Sequence, residues 1–338
     1  MVMSIQRLGQ NSLNFSTRVL KNKMVLKTLE NISKHPTSFS AGVSLCMSLG
    51  VRPLAIFATP DTEKENKQYA ASNSICSGLI KFGMVEAVAL PVEYAIQNID
   101  NNPEKFLKPS TIKKLGSTSS RSYKLITQML KLSTGFFTAI PKSILTIALI
   151  PVIMDKLFPS HKKVKEEQIS SLQVTEPQKG LNFTGGVSEK ISKGLGKIID
   201  NERLQNFALK FQNKDKDIAK HMTAATDILL TGASVSRVNQ SKDIKENRKR
   251  ALNYNNIIST AVTLVGGYGL DRLARNKTGK FIENFKNVHA GDPKLAKYVE
   301  GINILRPALI FAAIYYGILP IFSTYMAEKI DKYIENHS

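Results

Sequence analysis

The sequence predicts an all-α protein: a helical membrane bundle of about six apolar helices arranged as two related three-helix units. Three observations predict it. Hydrophobic residues make up 42% of the 338, and they are clumped into long segments rather than dispersed. No stretch sustains the period-two alternation of a half-buried strand. Finally, 35–157 and 221–338 carry the same punctuation in the same order, the mark of a tandem duplication.

The repeated punctuation begins with His-x-Thr (His35 and Thr37; His221 and Thr223), followed by an apolar segment and then Glu-Asn-basic (Glu65-Asn66-Lys67; Glu246-Asn247-Arg248). Next come Asn-x-Ile-x-Ser (Asn73, Ile75, Ser77; Asn255, Ile257, Ser259), an Asx-Pro turn (Asn102-Pro103; Asp292-Pro293) and a proline-containing helix. That helix closes on acid-Lys (Asp155-Lys156; Glu328-Lys329). The implied organisation is a basic amphipathic segment over 1–34, a first unit over 35–157, a polar linker over 158–220 and a second unit over 221–338.

Each helix is expected where charge is sparse. Pro307 to Met326 and Ala251 to Leu270 have no charge in 20 residues each, while Leu132 to Met154 has only Lys142 in 23 and Ser38 to Pro60 only Arg52 in 23. About 20 apolar residues suffice to cross a hydrocarbon core. Two further segments, about 72–97 and 221–237, contain Lys81, Glu86 and Glu93, and Asp227, and are borderline spans. The first helix should kink or stop at Arg52-Pro53, because proline removes a donor and clashes with the preceding turn. Prolines 91, 141, 151 and 320 inside apolar runs favour a bilayer, where neighbouring helices re-satisfy the freed carbonyls. Asp100 to Pro109 reads as a loop.

Within the linker, Val187, Ile191, Leu195, Ile198 and Ile199 recur at helical spacing opposite Lys190, Lys193 and Lys197. This is an amphipathic helix, either lying on a membrane surface or packed on the rest of the chain. Residues 1–29 are basic, contain no acid, and lack the continuous apolar block of a secretory signal. They suit a helix in the headgroup region, with an organelle transit peptide as the alternative.

The net charge of +20, from 47 basic and 27 acidic residues, calls for an anionic surface. The densest basic run, Lys245 to Arg250, carries no aromatic residue, so lipid headgroups are the expected partner rather than nucleic acid. A homo-oligomer is left open. Basic residues number 6 in 1–37, 2 in 61–71, 7 in 98–131, 6 in 237–250 and 8 in 271–306. With six spans, the positive-inside rule puts the N-terminus, 98–131 and 237–250 in the cytoplasm, and only 271–306 disagrees. Such a topology also makes the two units inverted relative to each other, as in transporters with a midplane site.

Ionisable residues inside apolar segments are the candidate site. Glu86 and Glu93, seven apart on one helical face, could coordinate a cation or relay a proton, Lys142 is a candidate counter-ion, and Asp227 is the second-unit acid. The competing reading leaves the helix half immersed with these groups on its wet side. Val265-Gly266-Gly267-Tyr268-Gly269 resembles a carbonyl-lined filter, but reads better as a close helix contact through small residues. The two cysteines, Cys46 and Cys76, and five scattered histidines form no metal-ligand spacing, so neither a metal nor a cofactor is expected. No nucleophile, phosphate-loop or paired-carboxylate motif suggests catalysis.

The strings Asn102-Pro103-Glu104-Lys105-Phe106-Leu107-Lys108-Pro109, Lys245 to Asn255 and Asp292 to Gly301 resemble an uncharacterised, multi-copy family of gut-bacterial hydrophobic helical proteins. That resemblance covers most of 35–330 and implies a bacterial, non-enzymatic protein with no assigned activity. The expectation is a multi-span protein of the inner membrane, transporter-like or membrane-organising, with basic loops facing the cytoplasm. The alternative is a peripheral scaffold that binds anionic lipid through basic amphipathic helices.

Overall fold

The computed structural model describes residues 21–59, 64–139, 185–240 and 246–320, with isolated helical positions between 141 and 157. Every regular element among them is helical. In chain order, α1 is Lys23–Lys34, α2 Pro36–Leu49, α3 Val51–Phe57, α4 Lys64–Asn101, α5 Pro103–Phe106, α6 Pro109–Leu115 and α7 Arg121–Phe137. They are followed by α8 Gly185–Ile199, α9 Glu202–Phe211, a 3-10 turn over Gln212–Asp217, α10 Ile218–Gln240, α11 Glu246–Val288 and α12 Leu295–Ala313, which runs on through a π turn at Ile314–Ile318.

The boundaries follow from local chemistry. Asn22, Ser120 and Asn201 cap α1, α7 and α9 by accepting from backbone N–H groups of the first turn. Pro36, Pro103 and Pro109 each stand in a first turn, where the missing donor costs nothing. The break expected at Arg52-Pro53 falls three residues earlier, at Gly50, and Pro53 sits inside α3. Pro91 and Pro307 interrupt neither α4 nor α12. The loop expected over 100–109 is instead the end of α4 followed by two short helices. Much of 271–306 is likewise helical, because α11 continues to Val288 before the turn into α12.

Contacts between side chains give the sense of each helix. Ser74 bonds the Ser48 carbonyl while Glu93 bonds Thr37, so α4 runs antiparallel to α2. In the second unit Thr260 meets Thr231 and Asp271 meets Lys220, so α11 runs antiparallel to α10. Helix α12 passes Leu29 at Gly301 and Val51 at Gly317, and it passes Asp271 at Arg306 and Gly267 at Phe311. It is therefore parallel to both α2 and α10. Helix α7 climbs the same way, from Arg121 beside Asn213 to Gly135 beside Thr37.

Helices α2 and α10 thus start at one end of the bundle and run in the same sense. And among the described residues three helices, not six, are long and apolar enough to cross a membrane: Pro36–Phe57, Ala70–Asn101 and Leu295–Ile318. The segments at 221–237 and 251–270 lie within α10 and α11, where polar residues dilute the apolar ones. Lys142 and much of 140–155 lie outside the described residues.

Helix α2 touches α4, α7 and α12, and α10 touches α11, α12 and α7. Four helices of common sense thus pack around the centre together with the antiparallel α4 and α11. At the starting end, a core of Leu29, Ile32, Leu132, Ala219, Phe285, Tyr298 and Ile302 ties α1, α7, α10, α11 and α12 together. A second core there, including Ile99, Leu115, Ile126, Ile199 and Ala208, seats α8 and α9 on α4, α6 and α7. The amphipathic linker helix is present as α8, and it packs on the protein: Ser192 bonds the Ala95 carbonyl, and Gly196 lets the Phe106 backbone approach closely.

Candidate functional site

The centre of the bundle holds a cavity of about 400 Å³. Its walls come from α2, α4, α7, α10, α11 and α12. Helix α2 contributes Thr37, Ser40, Ser44 and Ser48, all on one face because they recur every three or four residues. Helix α10 contributes Thr223, Thr226, Asp227, Thr231 and Ser234, and α11 contributes Asn256, Ser259, Thr260 and Thr263. Lys81 and Phe82 enter from α4, Tyr315 and Tyr316 from α12. With His35 aligned to His221, the pairs Thr37/Thr223, Ser40/Thr226 and Ser48/Ser234 fall at matching positions, and with Asn73 aligned to Asn255 so do Gly78/Thr260 and Lys81/Thr263.

Just below the cavity on the first-unit side lies Glu93, fully buried. Its Oε1 accepts from the Thr37 N–H at 2.8 Å and the Ser38 N–H at 3.3 Å. Its Oε2 accepts from the Ser38 hydroxyl at 2.7 Å and faces His35 Nδ1 at 3.1 Å. A side chain 56 residues away thereby caps α2, whose own first turn carries no acid. Gln97 Nε2 lies 3.1 Å from His35 Nε2, which fixes the neutral ring with its proton on Nδ1. Both Glu93 oxygens are thus saturated, leaving none for the cation suggested by its spacing from Glu86. Glu86 is half-buried one turn from the cavity wall, and its Oε1 has no hydrogen-bond partner.

On the second-unit side the equivalent level holds a charge network. Asp271, fully buried, meets Lys220 Nζ at 2.8 Å and Arg306 Nε at 2.7 Å. Asp217 meets Arg275 Nη2 at 2.7 Å and Lys220 at 3.6 Å. Lys220 also lies over the Tyr268 ring, whose hydroxyl meets His221 Nδ1 at 2.8 Å. His35 and His221 are thus each bonded to the long helix beside them.

The glycine pair is accounted for by packing. A side chain at Gly267 would strike the Phe311 ring at 2.6 Å and one at Gly266 would reach Ile314 at 3.2 Å, so the run admits α12 closely and builds no filter.

Of the residues singled out from sequence, Asp227 and Lys81 line the cavity, Glu93 anchors its edge, Glu86 stands beside it and Lys142 lies outside the described residues. Sequence reasoning missed Asp217, Lys220, Asp271, Arg275 and Arg306. The available signal was the placement of Asp271 and Arg306 at the edges of two uncharged runs. Among the described residues no group of three or more His, Cys, Asp or Glu could hold a metal ion. No known protein family, curated protein or solved structure matches the chain.

Proposed function

We propose that this chain is a transporter-like, non-catalytic helical protein of the bacterial inner membrane whose two related units enclose a binding site for a small polar solute. The observation carrying this is the hydroxyl-lined cavity at the centre of a bundle whose outer surface at the same height is apolar. Leu54, Leu79, Ile228, Ile257 and Val265 face outward there, and only 11% and 17% of the most apolar windows in Pro36–Phe57 and Ala70–Asn101 are buried. Hydroxyls inside and hydrocarbon outside suit a protein that shields a polar ligand from lipid.

The duplication is part of the proposal. It is supported by the matching wall positions and by the repeated helix contacts, each first helix touching its own second and third helices and the third helix of the other unit. Orientation follows from charge. The end where α2 and α10 start receives 1–37, 98–131 and 271–306, with 6, 7 and 8 basic residues, and the other end receives 61–71 and 237–250, with 2 and 6. The first end then faces the cytoplasm, and 271–306 no longer disagrees. Its exposed Lys113, Lys114, Lys193 and Lys197 would meet anionic headgroups. Bacterial origin rests on the resemblance of the Asn102-Pro103 and Asp292-Pro293 strings to the gut-bacterial family.

A second reading, a peripheral scaffold on anionic lipid, is favoured by that same basic end, where Ile198 and Phe207 lie exposed among lysines. Carbonate extraction separates the two: a spanning protein stays with the membrane, and release at high pH would leave the scaffold. Single cysteines at Lys114 and Lys67, with Cys46 and Cys76 changed to serine, should label from opposite faces of intact cells. Labelling of both from one face would end the spanning reading.

A further inference from the structure

This inference rests on the spanning reading and concerns which lipid the bundle takes at its cytoplasmic edge. The uncharged runs Ala251 to Leu270 and Pro307 to Met326 end at adjoining residues, because Asp271 and Arg306, the first charges beyond them, meet at 2.7 Å. Two helices therefore turn from uncharged to charged at one height, which marks the lower limit of the hydrocarbon. Above that limit Tyr254, Ile258, Val265 and Gly269 recur at intervals of four and seven and form one exposed stripe of α11. Below it the same stripe continues as Arg272, Asn276 and Lys280, with Leu273 and Lys277 beside it, all exposed. The cations on the two sides of α11 differ in their partners. Arg275 meets Asp217 at 2.7 Å, and Lys220 and Arg306 share Asp271. Among the described residues no ion pair engages Arg272, Lys277 or Lys280, and the acid Glu283 follows a turn further down.

We infer that Arg272, Lys277 and Lys280 hold the phosphate of an anionic phospholipid of the cytoplasmic leaflet, whose acyl chains run up the apolar stripe past Val265. The dimensions suit a headgroup. Arg272 and Lys280 lie about 12 Å apart along the helix, and a headgroup layer is roughly 5–8 Å deep. Helix α11 runs toward the cytoplasmic end, and helical side chains lean toward their own N-terminus, so the lysine stems reach back up to that layer while the ammonium groups stay in water. Charge and surface together select the class. A free phosphate or a soluble polyanion would satisfy the cations alone and gain nothing from the exposed Leu273 and Val265, whereas an anionic lipid matches both.

The chain has no tryptophan, so L273W, at a position 73% exposed, places a single indole at the site. The full chain carrying this reporter is reconstituted in phosphatidylcholine nanodiscs. Quenching by phosphatidylglycerol brominated in its acyl chains is then compared with quenching by phosphatidylcholine brominated in the same way. The anionic lipid should be preferred about fivefold or more, and the preference should shrink toward parity in about 1 M salt. Adding R272Q/K277Q/K280Q to L273W should abolish it. If that variant loses its helical circular dichroism, R272Q and K280Q added singly should each reduce the preference about twofold or more. Equal quenching by the two lipids, or a preference that the cation variants leave unchanged, overturns the inference. A second reporter, L79W, on the outer face of α4, separates it from the reading beneath. Quenching of L79W by the brominated phosphatidylcholine, with no anionic preference at L273W, removes the lipid assignment alone; no quenching of L79W removes both.

Discussion

Replacing Asp271 by asparagine should be among the most damaging single changes in the chain. The carboxylate is fully buried and joins Lys220, which is 5% exposed, to Arg306 on α12. Asparagine keeps the shape and one acceptor oxygen but removes the negative charge. Lys220 retains Asp217 at 3.6 Å, while Arg306 keeps no carboxylate partner among the described ion pairs, so about one buried cation is stranded. Breaking such a pair from one side costs about 3–5 kcal/mol. Against a total stability of about 5–15 kcal/mol that is a large share. At roughly 2–4 °C per kcal/mol, and less for a longer chain, the melting temperature should fall by roughly 5–15 °C. The assay is thermal melting by far-ultraviolet circular dichroism in one detergent and at one scan rate, since unfolding of such a protein is operationally kinetic. The triple variant D271L/K220M/R306M, which removes the charges together, should melt close to the unchanged protein. A D271N variant that melts within about 2 °C of the parent would refute the claim that this network locks α10, α11 and α12 together.

Three further outcomes are expected. E93Q should cost about 2 kcal/mol, because the amide caps α2 without a charge and faces donors it cannot accept from; E86Q, whose Oε1 has no hydrogen-bond partner, should cost under about 1 kcal/mol. Chemical denaturation of the pair checks the contrast. G301A places a methyl 2.2 Å from the Leu29 carbonyl and should lower stability by about 1–3 kcal/mol, while G279A, with nothing within 4 Å of the new atom, should be neutral or raise it by up to about 1 kcal/mol. Stability should also fall in acid. Glu30 is held below its ordinary 4.5 by its hydrogen bond from Lys34, with burial opposing and Lys294 adding to it. A depressed carboxyl stabilises the fold above its unfolded value, and that contribution is lost as pH falls through the folded one. Melting temperatures should therefore decline below about pH 4.5 and not between pH 6 and 8 from this group; a decline confined to the neutral range would refute the assignment.

What the sequence disclosed were features set by neighbours a few residues apart. Helical class, the α8 amphipathic pattern and the tight approach at Gly266-Gly267 all follow from periodicity or residue size. The repeated His-x-Thr marks the starts of α2 and α10, where Thr37 and Thr223 enter the cavity wall. What stayed hidden depends on residues far apart along the chain. Glu93 looked like a membrane-buried functional acid because nothing local reveals that Thr37 and Ser38, more than 50 residues earlier, present donors to it. Asp271 and Arg306 looked like loop charges, since their sequence separation of 35 conceals an antiparallel helix pair. The relative sense of α2 and α10 was equally illegible, because sequence fixes helix order and not which end of one helix meets which end of another.

That sense constrains how such a chain could sit in a bilayer. If α2 rises through the membrane, α4 descends, and α7 begins to rise from beside Asp100 and Asn213. Helix α10 also begins at the lower end, after α8 and α9 have packed against the lower part of α4. A third segment that crossed fully would oblige 158–184 to cross back, yet this stretch holds Lys162, Lys163, Lys165, Glu166 and Glu167 within six residues. Charges at that density do not pass through hydrocarbon. The three helices long and apolar enough to cross, Pro36–Phe57, Ala70–Asn101 and Leu295–Ile318, would rise, descend and rise, with the start of α2, the end of α4 and the start of α12 at one face. The basic segments at 98–131 and 271–306 then fall on one side together, which is the side that the positive-inside rule assigns to the cytoplasm.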